Sequence, residues 1–190
     1  MRHTPTRILI AVQLCLMLCT TARGQHSSDA ADDVLQHVPM ATVIALKACG
    51  APAASASWGE LLLSGGASYA IAAATTYSLK HIVNEQRPDK SDRRSMPSGH
   101  ATMAFAGATM LHHEYGRLSP WVSIAGYGVA TLTAAHRVVQ DRHYLHDVCA
   151  GAAIGVAATE LTYYLKKRLF PRRDVSIAFT GQNFCLAVTF

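Results

Sequence analysis

The feature that most constrains this chain is a succession of apolar segments, at residues 34–51, 61–79, 101–111, 118–135 and 148–165. Pro52, Pro88, Pro97, Gly99 and Pro120 gather in the gaps between them. The segments are longer than strands and rich in Ala, Gly, Ser and Thr, so they read as helices. Short links between successive helices make neighbours antiparallel, and the chain is therefore expected to be an all-α antiparallel bundle. Residues 61–79 hold 19 consecutive uncharged residues and residues 118–135 hold 18, near the ~20 that cross a bilayer. These two segments are expected to span a membrane, and the small residues suit close helix packing there. The core of a soluble bundle has the same composition, so the pattern leaves both settings open.

Two ends of the chain read differently. Residues 1–24 have the form of a secretory signal peptide, with Arg2 and Arg7 ahead of an 11-residue apolar core at residues 8–18. Ala22-Arg23-Gly24 offers a cleavage site before Gln25, which makes the mature chain an exported one. Residues 25–172 then form the main domain, and residues 173–190 alternate around Thr180-Gly181-Gln182-Asn183 in the manner of a small hairpin. The net charge of +5 includes Arg2, Arg7 and Arg23; the remainder carries 14 basic against 12 acidic residues, a net of +2. With no basic patch interleaved with aromatics, nucleic acid is excluded as a partner. Beyond the leader stand three cysteines, Cys49, Cys149 and Cys185, an odd number without metal-type spacing. Ten histidines lack the His-x-Glu or His-x3-His arrangements of zinc sites, so neither a metal nor another cofactor is expected.

The chemically capable residues collect at segment boundaries. Lys80 and Arg87 close the second segment; seven residues apart, they can share a helix face and point at one anion, with Pro88 ending the helix. They can equally be cations snorkelling at a bilayer surface. Pro97-Ser98-Gly99-His100 opens the third segment: Ser98 can cap the helix, Gly99 permits close approach to the backbone, and free N–H groups there favour an anion. His100 is then placed to give a proton to a leaving group. Arg137 closes the fourth segment, a planar donor fork suited to phosphate oxygens. His143 and Asp147, four residues apart, pair an imidazole with a carboxylate that can hold its tautomer and leave the other nitrogen free to attack. In an up-and-down bundle all four boundaries meet at one pole.

Taken together, Lys80-x6-Arg87-Pro88, Pro97-Ser98-Gly99-His100 and Arg137-x5-His143-x3-Asp147 resemble the three-part signature of the type 2 phosphatidic acid phosphatase (PAP2) superfamily, which includes acid phosphatases and vanadium haloperoxidases. The resemblance covers residues 60–165 and is nearest to small periplasm-facing lipid phosphatases acting on lipid A or undecaprenyl pyrophosphate. It implies a PAP2-type helix bundle in the inner membrane. It also implies a metal-independent hydrolase in which His143 forms a phosphohistidine, Asp147 supports it, and His100 is the general acid. Lys80, Arg87, Ser98, Gly99 and Arg137 would hold the phosphoryl group of a lipid phosphate or diphosphate. A soluble periplasmic acid phosphatase is the alternative, and a vanadate-dependent peroxidase a more distant one. One departure stands out: the residue before Arg137 is His136, where such families carry Ser, so His136 is expected to bind phosphate or to modulate the site.

Overall fold

The computed structural model describes residues 28–170, 174–179 and 184–189, with side chains from residue 32 to 170. The leader expected at residues 1–24 lies outside the described residues. Six helices follow in order: α1 (Ser28–Leu35), α2 (Val38–Ala48), α3 (Trp58–Val83), α4 (Gly99–Tyr115), α5 (Pro120–Val139) and α6 (Leu145–Leu169). A two-stranded antiparallel ladder, β1 (Asp174–Phe179) with β2 (Phe184–Thr189), pairs Asp174 with Thr189 and Phe179 with Phe184.

Helix boundaries follow local chemistry. The Ser57 hydroxyl accepts from the Glu60 N–H, and the Glu60 carboxylate accepts from the Ala56 N–H, so reciprocal bonds start α3. Asn84, at φ 47°, ends α3 in the left-handed region that Asn tolerates. Pro120 stands in the first turn of α5, where its missing N–H costs nothing. Lys166, Lys167 and Arg168 occupy the last turn of α6, complementing the helix dipole.

Helix α4 is the axis of the bundle, packed on α2, α3, α5 and α6. Ala101, Ala104, Ala106 and Ala108 are fully buried along it, so its neighbours approach closely on every side. On α6, Gly151 and Gly155 face the Ser98 and Thr102 carbonyl oxygens, and a Cβ at either position would overlap them. At the far pole Val43, Leu46, Leu61, Met110, Leu111 and Tyr115 form the largest apolar cluster. Beside it Glu114 is buried, accepting from the Ser55 N–H (2.7 Å), the Ser55 hydroxyl (2.6 Å) and the Tyr163 hydroxyl (2.6 Å). The carboxylate thereby ties the loop before α3 to α4 and α6.

Among the described residues, α6 is the helix long and apolar enough to cross a membrane by length and composition. Residues 61–79 and 118–135, the expected spans, fall in α3 and at α5. Both carry hydroxyl side chains among the apolar ones: Ser64, Ser68, Thr75, Thr76 and Ser78 in α3, and Ser123, Thr131 and Thr133 in α5. Large apolar side chains nevertheless face outward on all three helices: Leu62, Leu63 and Tyr77; Trp121, Ile124 and Leu132; Leu161, Tyr164 and Leu165.

Candidate active site

The ends of α3 and α5 and the starts of α4 and α6 enclose a cavity of about 320 Å³, lined by Gln36, Lys80, Arg87, Gly99, His100, Met103, Arg137 and His143. Three cations and two imidazoles from four separate segments thus converge on one space. Ser98 and Asp147 stand behind it, both fully buried.

Local geometry departs from the sequence reading in three places. The first concerns Lys80 and Arg87, which were expected on one helix face. Helix α3 stops at Val83, and Arg87 lies in the following loop; both still line the cavity because the loop folds back. Within that loop the Arg87 Nε donates to Asp92 Oδ1 at 2.8 Å, while the Lys80 ammonium donates to the Arg94 carbonyl at 2.7 Å. The second is Ser98, whose hydroxyl does not cap α4. Its N–H donates to the Asp147 carbonyl (3.0 Å), and its Oγ is buried without a hydrogen-bond partner among the described residues. A buried hydroxyl left without a partner costs about 1–3 kcal/mol, so a bound oxyanion in reach would relieve it.

The third is the His143–Asp147 pair. The His143 Nδ1 lies 3.4 Å from Asp147 Oδ2, an ion-pair distance, and makes no hydrogen bond among the described residues. Asp147 is engaged elsewhere: Oδ2 accepts from the Ser95 hydroxyl at 2.5 Å and from the Tyr144 N–H at 2.9 Å, which starts α6. A movement of a few tenths of an ångström brings the pair into hydrogen-bond range. Ser95 is fully buried, and its N–H donates to the Glu85 carbonyl at 2.9 Å. Nothing in its local sequence distinguishes it from Ser91, so Ser95 escaped the sequence reading.

The electrostatics set the protonation state of His143. Burial lowers its pKa first, Arg87 and Lys80 lower it further, and Asp147 opposes them, with the outcome at about 4. The imidazole is therefore neutral at neutral pH, with a nitrogen lone pair available to attack.

Other residues take places the sequence left open. The His100 Nε2 lies 2.9 Å from Asp33 Oδ1 of α1. His136 does not line the cavity; its Nδ1 lies 2.6 Å from Asp32 Oδ1. His146 Nε2 lies 2.9 Å from Glu85 and 3.2 Å from Asp147 Oδ1, and the ligand atoms of this trio all fall within 4.8 Å of one another. Spacing rules missed that trio because Glu85 comes from a different segment. His112 and His113 sit at the far pole, paired with Ser123 and Glu160.

A family model of the PAP2 superfamily matches residues 61–171, which include all three motifs and every wall of the cavity except Gln36. The chain belongs to the PAP2 superfamily. Among curated relatives of this PAP2 protein is the lipid A 1-phosphatase of Porphyromonas gingivalis, 39% identical over 155 residues, covering 82% of this chain and 34% of the relative. The lipid A 4'-phosphatase of Helicobacter pylori is 34% identical over 100 residues, covering 52% of this chain and 49% of the relative. The chain thus spans about a third to a half of the length of these two relatives. The crystal structure of Aquifex aeolicus LpxE superimposes with a TM-score of 0.56 at 20% identity, covering 80% of this chain and 93% of that one. That likeness assigns the PAP2 helix bundle as the fold.

Proposed function

We propose that this PAP2 protein is a phosphatase that hydrolyses a lipid phosphate monoester or diphosphate at the periplasmic face of the inner membrane, through a phosphohistidine and without a metal. The observation that carries the reading is the cavity itself, where Lys80, Arg87 and Arg137 surround a neutral, buried His143 with His100 on the same wall. The two lipid A phosphatases among its relatives make lipid A the first substrate to test. Outward-facing apolar residues on α3, α5 and α6 support a membrane setting.

In this mechanism the three cations and the Gly99 backbone N–H hold the non-bridging oxygens and stabilise charge in the in-line transition state. The His143 nitrogen remote from Asp147 attacks phosphorus; the P–N bond forms as the ester P–O bond breaks, and His100 gives its proton to the leaving oxygen. Asp147 stabilises the imidazole as it becomes positive. His100 then takes a proton from water, whose oxygen displaces His143 and releases inorganic phosphate.

The test is phosphate release by detergent-solubilised protein from lipid A, undecaprenyl pyrophosphate, phosphatidate and p-nitrophenyl phosphate, in EDTA, beside His143→Ala. Lipid-selective release that disappears in the variant is the expected outcome. Equal turnover of the small ester points to an acid phosphatase instead, and loss of activity in EDTA overturns metal independence.

A further inference from the structure

Helix α1 lies outside the family match, yet it touches the site twice. Asp32 is fully buried, and its two oxygens face two consecutive residues of α5: Oδ2 accepts from Arg137 Nη1 at 2.8 Å, and Oδ1 lies 2.6 Å from His136 Nδ1. Gln140, the residue that follows α5, closes the figure. Its Oε1 accepts from Arg137 Nη1 at 3.5 Å, and its Nε2 lies 3.3 Å from His136 Nε2. The four side chains form a ring, Asp32–Arg137–Gln140–His136. Arg137 borders the cavity, whereas Asp32, His136 and Gln140 do not.

The hydrogen-bond directions around the ring are mutually consistent. A carboxylate accepts only, so His136 donates to Asp32 from Nδ1–H. The Gln140 carbonyl oxygen faces Arg137, so its amide N–H₂ faces His136 Nε2, which accepts from it. With both imidazole nitrogens engaged inside the ring, His136 has no N–H directed at a substrate. The residue that replaces the family's Ser is thereby removed from the phosphate and joined to the support of Arg137.

We propose that Asp32 is a positioning residue, which with His136 and Gln140 holds the Arg137 guanidinium at the angle that receives the phosphoryl group. The proposal rests on the phosphatase reading for its kinetic arm, and its structural arm stands without it. Arg137 meets the phosphoryl oxygens in both ground and transition states, so misplacing it raises KM more than it lowers kcat.

The experiment uses the full chain in detergent, with orthovanadate as a phosphoryl mimic and, as substrate, whichever of the four named above it hydrolyses fastest. In Asp32→Asn the vanadate inhibition constant and KM are expected to rise about 10- to 100-fold, the range for groups that orient a ligating side chain. Asp32→Glu keeps the charge but displaces it by one methylene, and is expected to move both constants in the same direction by less. Cooperative melting checks that each variant is folded. In parallel, ¹⁵N-histidine NMR of the wild-type chain is expected to report His136 as the Nδ1–H tautomer, a measurement that needs neither turnover nor a variant. Constants within twofold of wild type in both variants, or an Nε2–H tautomer, overturn the proposal. A wild-type chain that releases no phosphate overturns the phosphatase reading instead, and the tautomer then decides the ring.

Discussion

At the scale of single residues, the proposed nucleophile His143 is uncharged where most exposed histidines begin to titrate. Its pKa of about 4 lies below the ordinary value, so the neutral form persists as pH falls through 6 and is lost only near 4. The acid limb of kcat/KM is therefore expected near pH 4, measured with a substrate whose own ionisation has been determined separately. Linkage gives stability the same direction. The unfolded chain binds this proton at a higher pH than the folded one, so stability is constant above about 6.5 and declines as pH falls toward 4. Thermal melts of His143→Gln across that window are expected to lose part of the slope. Ser95 acts one step back, with a hydroxyl that holds the Asp147 carboxylate. Ser95→Ala is expected to lower kcat about 10-fold while KM stays near wild type, because in the proposed mechanism Asp147 acts on the imidazole as it gains charge and not on the bound substrate.

Between elements the decisive contact is α4 against α6, where Gly151 and Gly155 let one backbone lie on another. Gly155→Ala forces its methyl into the Thr102 carbonyl and is expected to destabilise by about 1–3 kcal/mol, read in a thermal or denaturant melt. Gly151→Ala is expected to do more. Its methyl would stand 2.5 Å from the Ser98 carbonyl oxygen, and the Ser98 N–H is the group bonded to the Asp147 carbonyl. Pushing the two apart separates the second motif from the third, so kcat/KM per folded molecule falls together with stability.

For the whole molecule, the pole that holds the candidate site and the pole that holds the largest apolar cluster are separate. Glu114 at the far pole satisfies the buried Ser55 and the half-buried Tyr163, and replacing it by Ala leaves the two Ser55 donors unpaired by it at about 1–3 kcal/mol each. Glu114→Ala is expected to melt several degrees lower while kcat/KM per folded molecule is unchanged. Leu62, Leu63 and Tyr77 of α3, Trp121, Ile124 and Leu132 of α5 and Leu161, Tyr164 and Leu165 of α6 are exposed, the arrangement on which the proposed membrane setting rests. The chain is expected in the membrane pellet after carbonate washing and in the supernatant after detergent, and release by carbonate alone would assign it to the aqueous phase.

The helical class and the gathering of polar residues at the segment ends were legible in the sequence, because apolar period and Pro/Gly punctuation are local properties of the chain. So were Lys80, Arg87, Gly99, His100, Arg137 and His143, which line one cavity. What depended on contacts between distant segments was not legible. Ser95 reaches Asp147 across 52 residues and Asp32 reaches Arg137 across 105, distances at which no spacing rule operates. The same holds for His136: the sequence placed it beside Arg137, but Asp32 and Gln140 decide which way its nitrogens point. Residue identity determined the reagents available to this protein, and tertiary packing decided which of them face the cavity, because burial and hydrogen-bond partners exist only once the chain has folded.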